Sequence, residues 1–420
     1  MFTDIKSAIS FMKERQNLGI KPGLHRMEYM LEALHHPEKK LKVIHVGGTN
    51  GKGSVTSFLE EALLKHNYNV GTFTSPSLDR LHDHIQRNKQ SITDDEFIQS
   101  LEQLYPVIQR LDEQDNSPTE FEILVMIAIV YLATNVDIAI FEVGMGGKED
   151  STNCLRPILS IITTIGLDHT SFLGESYAEI AEHKAGIIKP FTPIITGVQQ
   201  KEALNVIERK ASQEDAVIYR LGQEFHIKSI HEQTCTFIAS KHSVDIEIQM
   251  KGMHQIENAA VALMGLYVLK EQGFNLNDPI TLQALKEAHV PGRFEVISLH
   301  PTIIVDGAHN VEGIQTFVQT VKRYYQKKKK RLLFAVFCDK PFVKMLDALQ
   351  NEFDEIIVTT FNHPRSAKRE DFYEIFHDNL FYQEDWKLAL DTMIDDAKED
   401  EAIFVVGSLH FVGKVRKHFV

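Results

Sequence analysis

The sequence predicts an α/β fold in two parts. A larger domain over residues 1–292 has a parallel-rich sheet and a small antiparallel β region, and a smaller Rossmann-like α/β domain covers 293–420. Three observations carry this reading. A glycine turn, Thr49-Asn50-Gly51-Lys52-Gly53-Ser54, stands between a short apolar run and an amphipathic one, in the order strand, turn, helix. Apolar runs of strand length alternate with helical patterns, as in a parallel sheet covered by helices. The alternation restarts after Pro291-Gly292-Arg293, and Pro-Gly is a strong turn signal.

Taken in order, the first domain's strands are expected at 42–46, 70–74, 137–143, 159–164 and 193–196, with helices between them such as 119–134. Residues 225–250 read differently. His226-Ile227-Lys228 and Val244-Asp245-Ile246-Glu247-Ile248 alternate polar with apolar, as antiparallel strands do. In the second domain, strands are expected at 303–306, 332–337, 356–360 and 403–406. The basic run 327–331 is expected to end a helix, where cations suit the dipole and meet solvent.

A chain of 420 residues is too long for one ordinary core. Its 43% hydrophobic and 25% charged residues are those of a globular protein. The formal charge of −13 argues against a general nucleic-acid surface but leaves room for local anion pockets. Cys154, Cys235 and Cys338 are far apart and odd in number, which fits a reducing compartment and no disulfide framework. The first residues mix Asp4, Lys6 and Glu14 with apolar side chains, unlike a secretion signal. The longest apolar stretch, 123–133, is too short to span a bilayer. The expectation is a cytoplasmic protein with neither a nucleic-acid nor a membrane partner.

The chemistry is concentrated at strand ends. A turn such as Thr49 to Ser54 aims backbone N–H groups and a helix N-terminus at one point, which suits a phosphate chain. Lys52 can reach the outer phosphates, and the Ser54 hydroxyl can ligate Mg²⁺. Phe141-Glu142-Val143-Gly144-Met145-Gly146-Gly147 ends another apolar run. In open α/β sheets ligands sit beyond the carboxyl ends of strands, so Glu142 reads either as a metal-holding carboxylate or as a turn cap. Gly166-Leu167-Asp168-His169-Thr170 ends a third, with His169 a metal ligand or a hydrogen-bonded core histidine. Lys184 lies in a helical stretch, where composition alone makes it a solvated lysine. Asp306-Gly307-Ala308-His309-Asn310 ends a strand of the second domain, as a polar contact site or a capping turn.

Together these pieces resemble the folylpolyglutamate synthases and bifunctional dihydrofolate synthases of bacteria, within the Mur-ligase superfamily. The resemblance runs through Lys21-Pro22-Gly23-Leu24-His25-Arg26-Met27, the glycine turn, Thr72-Phe73-Thr74-Ser75-Pro76 and Asp150-Ser151-Thr152-Asn153. It continues through Gly252-Met253-His254-Gln255-Ile256-Glu257-Asn258-Ala259, Pro291-Gly292-Arg293-Phe294-Glu295 and Gly407-Ser408-Leu409-His410-Phe411-Val412-Gly413. It implies a P-loop Mur-ligase-type domain followed by a ligase domain. Thr49, Asn50, Gly51, Lys52, Gly53 and Ser54 would be its ATP phosphate loop, with Asn258, Arg293 and Asp306 also at the nucleotide. Ser75, Glu142, His169 and Lys184 would hold two Mg²⁺ ions, Lys184 after carbamylation. Lys52, Lys184, Asp306 and His309 would serve the reaction, and Pro76, His84, Asp150 and Ser408 the substrates.

The resemblance also implies an ATP-dependent ligase, monomeric, that activates the carboxylate of dihydropteroate or a reduced folate as an acyl phosphate. The amine of L-glutamate then attacks it. Alternatives are chain extension of folates only, or another Mur-type amide ligase. Against the latter, only 44 residues precede His45, too few for the domain that peptidoglycan-precursor ligases carry there. Departures from the family are Ser77, Lys148, and His82-Asp83-His84-Ile85 where Asn-Glu-Arg-Ile is common. Histidine for arginine removes a permanent cation from the expected substrate loop.

Overall fold

The computed structural model describes residues 2–77, 80–240, 242–372 and 379–419. It contains two compact units. The first comprises Met1–Ile248 and Ile256–Ala288, the second Gln249–Gln255 and His289–Val420. The second unit therefore begins four residues before the boundary read from the sequence, and takes in a short segment from further upstream.

The first unit is built on eight strands: β1 Val43–Gly47, β2 Val70–Phe73, β3 Ile85–Arg87, β4 Gln90–Ser91, β5 Ile138–Glu142, β6 Leu159–Ile162, β7 Ile194–Thr196 and β8 Ile218–Arg220. Their order is β4-β3-β2-β5-β1-β6-β7-β8. All neighbours from β2 to β8 run parallel, and only β3 and β4 add antiparallel. β1, β5 and β6 are buried along their whole length, as strands covered on both faces must be. The helix Glu120–Leu132 is apolar on nearly every side because it is itself buried. Thr119 and Glu122 cap its start reciprocally. The alternating stretch forms a separate three-stranded antiparallel sheet, β9 Phe225–His231, β10 Thr234–Ala239 and β11 His242–Glu247.

The second unit carries β12 Glu295–Leu299, β13 Thr302–Asp306, β14 Lys329–Phe334, β15 Glu355–Thr360, β16 Leu380–Asp385 and β17 Glu401–Val406. Their order is β12-β13-β17-β14-β15-β16, with only β12 antiparallel. The basic run departs from its expectation. The preceding helix, Val311–Tyr324, ends before it, and Lys329, Lys330 and Arg331 open β14. There they meet Glu401, Glu352 and Glu355, so acids brought from distant segments, rather than a helix dipole, receive the charge. Among the described residues no helix is long and apolar enough to cross a membrane.

Candidate active site

The sheet order puts β1 between β5 and β6, so the turns after all three open at one edge. In register, Val46 lies beside Glu142 on one side and Ile161 on the other. β2 continues the series, with Phe73 beside Phe141, and Ser75 and Pro76 follow it at that edge. Ser75, Glu142, the glycine turn and the residues after β6 are thus neighbours by topology.

The glycine turn is held by the segment that follows β6. Thr49 N–H donates to the Thr164 carbonyl at 2.8 Å, and Asn50 N–H to the Thr164 hydroxyl at 3.0 Å. The Thr163 hydroxyl donates to the Asn50 carbonyl at 2.6 Å, and Gly166 N–H to the Thr49 hydroxyl at 2.9 Å. Two glycines permit this closeness. A Cβ on Gly48, whose φ is +137°, would lie 1.9 Å from Thr163 Oγ1. One on Gly51, φ +88°, would lie 2.5 Å from Asn258 Oδ1, which puts Asn258 against the turn. The helix Lys52–Lys65 starts immediately after, so its free N–H groups face the same edge.

Three charged groups meet there. Lys52 Nζ donates to the Gly48 and Thr49 carbonyls at 3.2 and 3.3 Å and lies 3.8 Å from the Glu142 carboxylate. Lys184 Nζ donates to the Gly48 carbonyl at 3.0 Å. Lys184 is buried, not solvated, because its helix packs against the sheet. Burial, with Lys52 nearby, lowers its pKa to about 7. A substantial share of a lysine with that pKa is a neutral, nucleophilic amine. His169 has a left-handed backbone at φ 52° and is followed by a helical turn. Its N–H donates to Asp168 Oδ1 at 2.9 Å, and its ring lies 4.0 Å from the same carboxylate.

Two residues expected at the substrate turn inward. Asp150 is buried and accepts from Met145 N–H at 2.9 Å, Thr152 N–H at 3.0 Å and the Thr152 hydroxyl at 2.5 Å. Its carboxylate holds the Gly144–Gly147 turn through Met145 N–H. Behind it His45, fully buried, bonds Thr152 Oγ1 through Nε2 at 2.8 Å. The hydroxyl proton goes to Asp150, so the imidazole is the donor. His84 donates from Nδ1 to the Thr74 carbonyl at 2.7 Å and stacks on Phe73. Burial depresses its pKa, so it brings no cation to that loop at neutral pH.

In the second unit Asp306 accepts from Phe294 N–H and Ala308 N–H, each at 2.8 Å, which fixes the turn after β13. Burial raises its pKa while Arg293 opposes the rise. His309 Nδ1 donates to the Gly307 carbonyl at 2.8 Å, which sets its tautomer. Asn310 caps the following helix. Ser408 is buried directly after β17, the parallel neighbour of β13. Sequence reasoning missed Thr163, Thr164 and the His45–Thr152 chain. Hydroxyls at the end of an apolar strand were the only signal available for the first two.

A model of the Mur ligase middle domain matches residues 46–266, and one of the Mur ligase glutamate ligase domain matches 292–409. The chain belongs to the Mur ligase family. Within the family it is 36% identical to the dihydrofolate synthase/folylpolyglutamate synthase of Bacillus subtilis, over 99% of both chains. A folylpolyglutamate synthase of Mycobacterium tuberculosis complexed with ADP superposes with TM-score 0.91 at 26% identity, over 99% of this chain and 98% of that one. An Escherichia coli FolC in complex with DHPP and ADP superposes with TM-score 0.89 at 26% identity, over 99% and 97%. The family's two matched regions contain both strand-edge clusters described above.

Proposed function

We propose that this chain is an ATP-dependent amide ligase that joins L-glutamate to dihydropteroate and to reduced folates through an acyl phosphate. The observation that carries the reading is the convergence of Lys52, Glu142, Lys184 and Asn258 on one glycine turn stitched to the segment that follows β6. Amide formation from a free carboxylate is uphill in water, so the carboxylate must first be activated. The turn's N–H groups and Lys52 bind the ATP phosphates and draw charge from the γ-phosphoryl group as the acceptor's carboxylate oxygen attacks it. In the second unit, Arg293 and Asp306 are assigned to the nucleotide, His309 and Ser408 to the incoming amino acid. The amine attacks the acyl phosphate, forms the amide bond and expels phosphate, and the proton it loses must be accepted nearby. His309 is the proposed positioning group, since its Nδ1–H is already committed to Gly307.

The donors at the first unit's edge fit Mg²⁺. Glu142 is a buried carboxylate beside the phosphate turn, and Lys184 is an amine able to add CO₂ and become an anionic oxygen donor. Ser75 and His169 complete the set assigned to two ions. Bound Mg²⁺ supplies charge neutralisation at the transferring phosphoryl group. Among the described residues no three His, Cys, Asp or Glu side chains gather as a metal cluster. The proposed donor set is accordingly mixed: hydroxyl, carboxylate, imidazole and modified amine. Asp150 would act on the acceptor indirectly, by holding the Gly144–Gly147 turn.

The test is ATP-dependent phosphate release with L-glutamate and either 7,8-dihydropteroate or a reduced folate, with products weighed by mass spectrometry. A one-glutamate gain on both acceptors supports both activities. Gain on the reduced folate alone makes the enzyme a chain extender. ATP hydrolysis with no gain on either removes the folate reading.

A further inference from the structure

The β3–β4 hairpin is fastened at its tip to the helix that follows the phosphate turn. Gln86 pairs with Ser91 and Arg87 with Gln90, and Asn88 and Lys89 form the tip in left-handed conformation, at φ 52° and 64°. Asn88 N–H donates to the Val70 carbonyl and Val70 N–H to Asn88 Oδ1, each at 2.8 Å, which joins the tip to β2. The Lys89 ammonium pairs with Glu61 on the helix Lys52–Lys65. At the other end of the hairpin, the Ser91 hydroxyl donates to Asp83 Oδ1 at 2.8 Å, and Asp83 also accepts from Arg80 N–H at 2.9 Å. Residues 80–84, which include His84, are therefore held by the hairpin, and the hairpin by the helix.

Against the tip lies Glu60, a carboxyl group that the proposed reaction does not use. It is 7% exposed, and its Oε1 is buried without a hydrogen-bond partner among the described residues. Burial raises its pKa from 4.5 to about 7, with Glu61 adding to the rise and the ammonium and backbone N–H of Lys89 opposing it. The other charges on the elements around it are committed elsewhere. Arg87 lies over the Tyr131 ring at 6.0 Å. On the helix Asp278–Glu287, which packs against the same helix, Asp278 pairs with Lys270, Lys286 with Glu247 and Glu287 with Lys65. In β1 and β5, His45 bonds Thr152 and Glu142 pairs with Lys52, and β2 has no charged residue. An ionised Glu60 has to share one cation, Lys89, with Glu61, and keeps one oxygen desolvated.

We propose that Glu60 is a proton-operated latch: protonated, it keeps the β3–β4 hairpin and residues 80–84 packed on the phosphate-turn helix, and ionised, it releases them. Its bearing on the reaction rests on the ligase reading above, which assigns His84 to the acceptor. Opening the hairpin gives Glu60 to water, where its pKa returns to the ordinary 4.5. The packed state holds the proton more tightly than the open one. Closure is therefore at full strength below 4.5, weakens as pH rises from 4.5 toward about 7, and levels off above that, where both states are ionised.

The test is amide hydrogen exchange, read by mass spectrometry on the full chain without substrate, for wild type, Glu60→Gln and Glu60→Leu. Both variants are permanently neutral there, and thermal unfolding checks that they are folded. Relative to either variant, wild-type protection of peptides covering 80–92 should fall about tenfold or more between pH 5 and pH 7 and change little from pH 7 to pH 8. His82 and His84 titrate in this segment in all three proteins, so the difference belongs to Glu60. Equal pH dependence in wild type and a folded variant, or a difference confined to residues outside 80–92, overturns the latch. Failure of the ligase reading shows instead as no glutamate attached to any acceptor and leaves the exchange result standing, so the two failures are separate.

Discussion

At the scale of single residues, two lysines about one glycine turn should have the same effect on ligation when removed and different effects on stability. Lys52 is partly exposed and held by carbonyls and by Glu142. Lys52→Ala should abolish ligation and leave the fold intact, and near-normal turnover in a folded Lys52→Ala protein would sink its assignment. Lys184 is an amine buried at a cost, its pKa brought down to about 7 mainly by desolvation. Lys184→Met should likewise abolish ligation, yet raise resistance to thermal or urea unfolding by roughly 1–3 kcal/mol, because a desolvated amine with a single carbonyl partner gives way to an apolar chain of similar length. A Lys184→Met protein that is active, or less stable than wild type, contradicts this. Site residues that cost stability are the ones a fold keeps for function.

At the scale of elements, the phosphate turn depends on the segment that follows β6 as much as on its own sequence. Gly48 has no room for a side chain, since a Cβ would meet Thr163 Oγ1 at 1.9 Å and its φ is unfavourable for L-residues. Gly48→Ala should cost about 2–3 kcal/mol of stability and displace the turn. Calorimetric titration with ATP should then show binding weakened by at least an order of magnitude, whereas Gly53→Ala, with nothing within 4 Å of its Cβ, should bind nearly as wild type does. The His45–Thr152–Asp150 chain is the second such element, tying β1 to the turn after β5. Burial depresses the His45 pKa to about 3 from 6.5. Below 6.5 the unfolded chain takes up a proton that the folded one refuses. This group's contribution to stability is therefore full above 6.5 and lost as pH falls from 6.5 toward 3, by up to about 1.4 kcal/mol per pH unit. Urea unfolding at pH 7.5 and 5 should show a shallower pH dependence for His45→Asn than for wild type. Equal slopes would mean that His45 is protonated inside the fold.

At the scale of the whole molecule, each unit places its polar clusters beyond the carboxyl ends of parallel strands. The sequence by itself determined the α/β class, the antiparallel stretch and the strand-end motifs. These are written locally: a glycine turn needs particular residues at particular positions, and a buried parallel strand needs an uninterrupted apolar run. Tertiary structure alone decided which neighbours those motifs would have. No window of sequence brings Thr163 and Thr164 to Asn50, or buries Lys184 in a helix whose composition suits solvent. Nor does one show that Asp150 faces backbone N–H groups, that burial holds His84 neutral, or that Lys329, Lys330 and Arg331 meet acids where a helix end was expected. Burial and long-range hydrogen bonding set the charge state of a side chain and the direction it points, and both are properties of the packed chain, not of its local pattern.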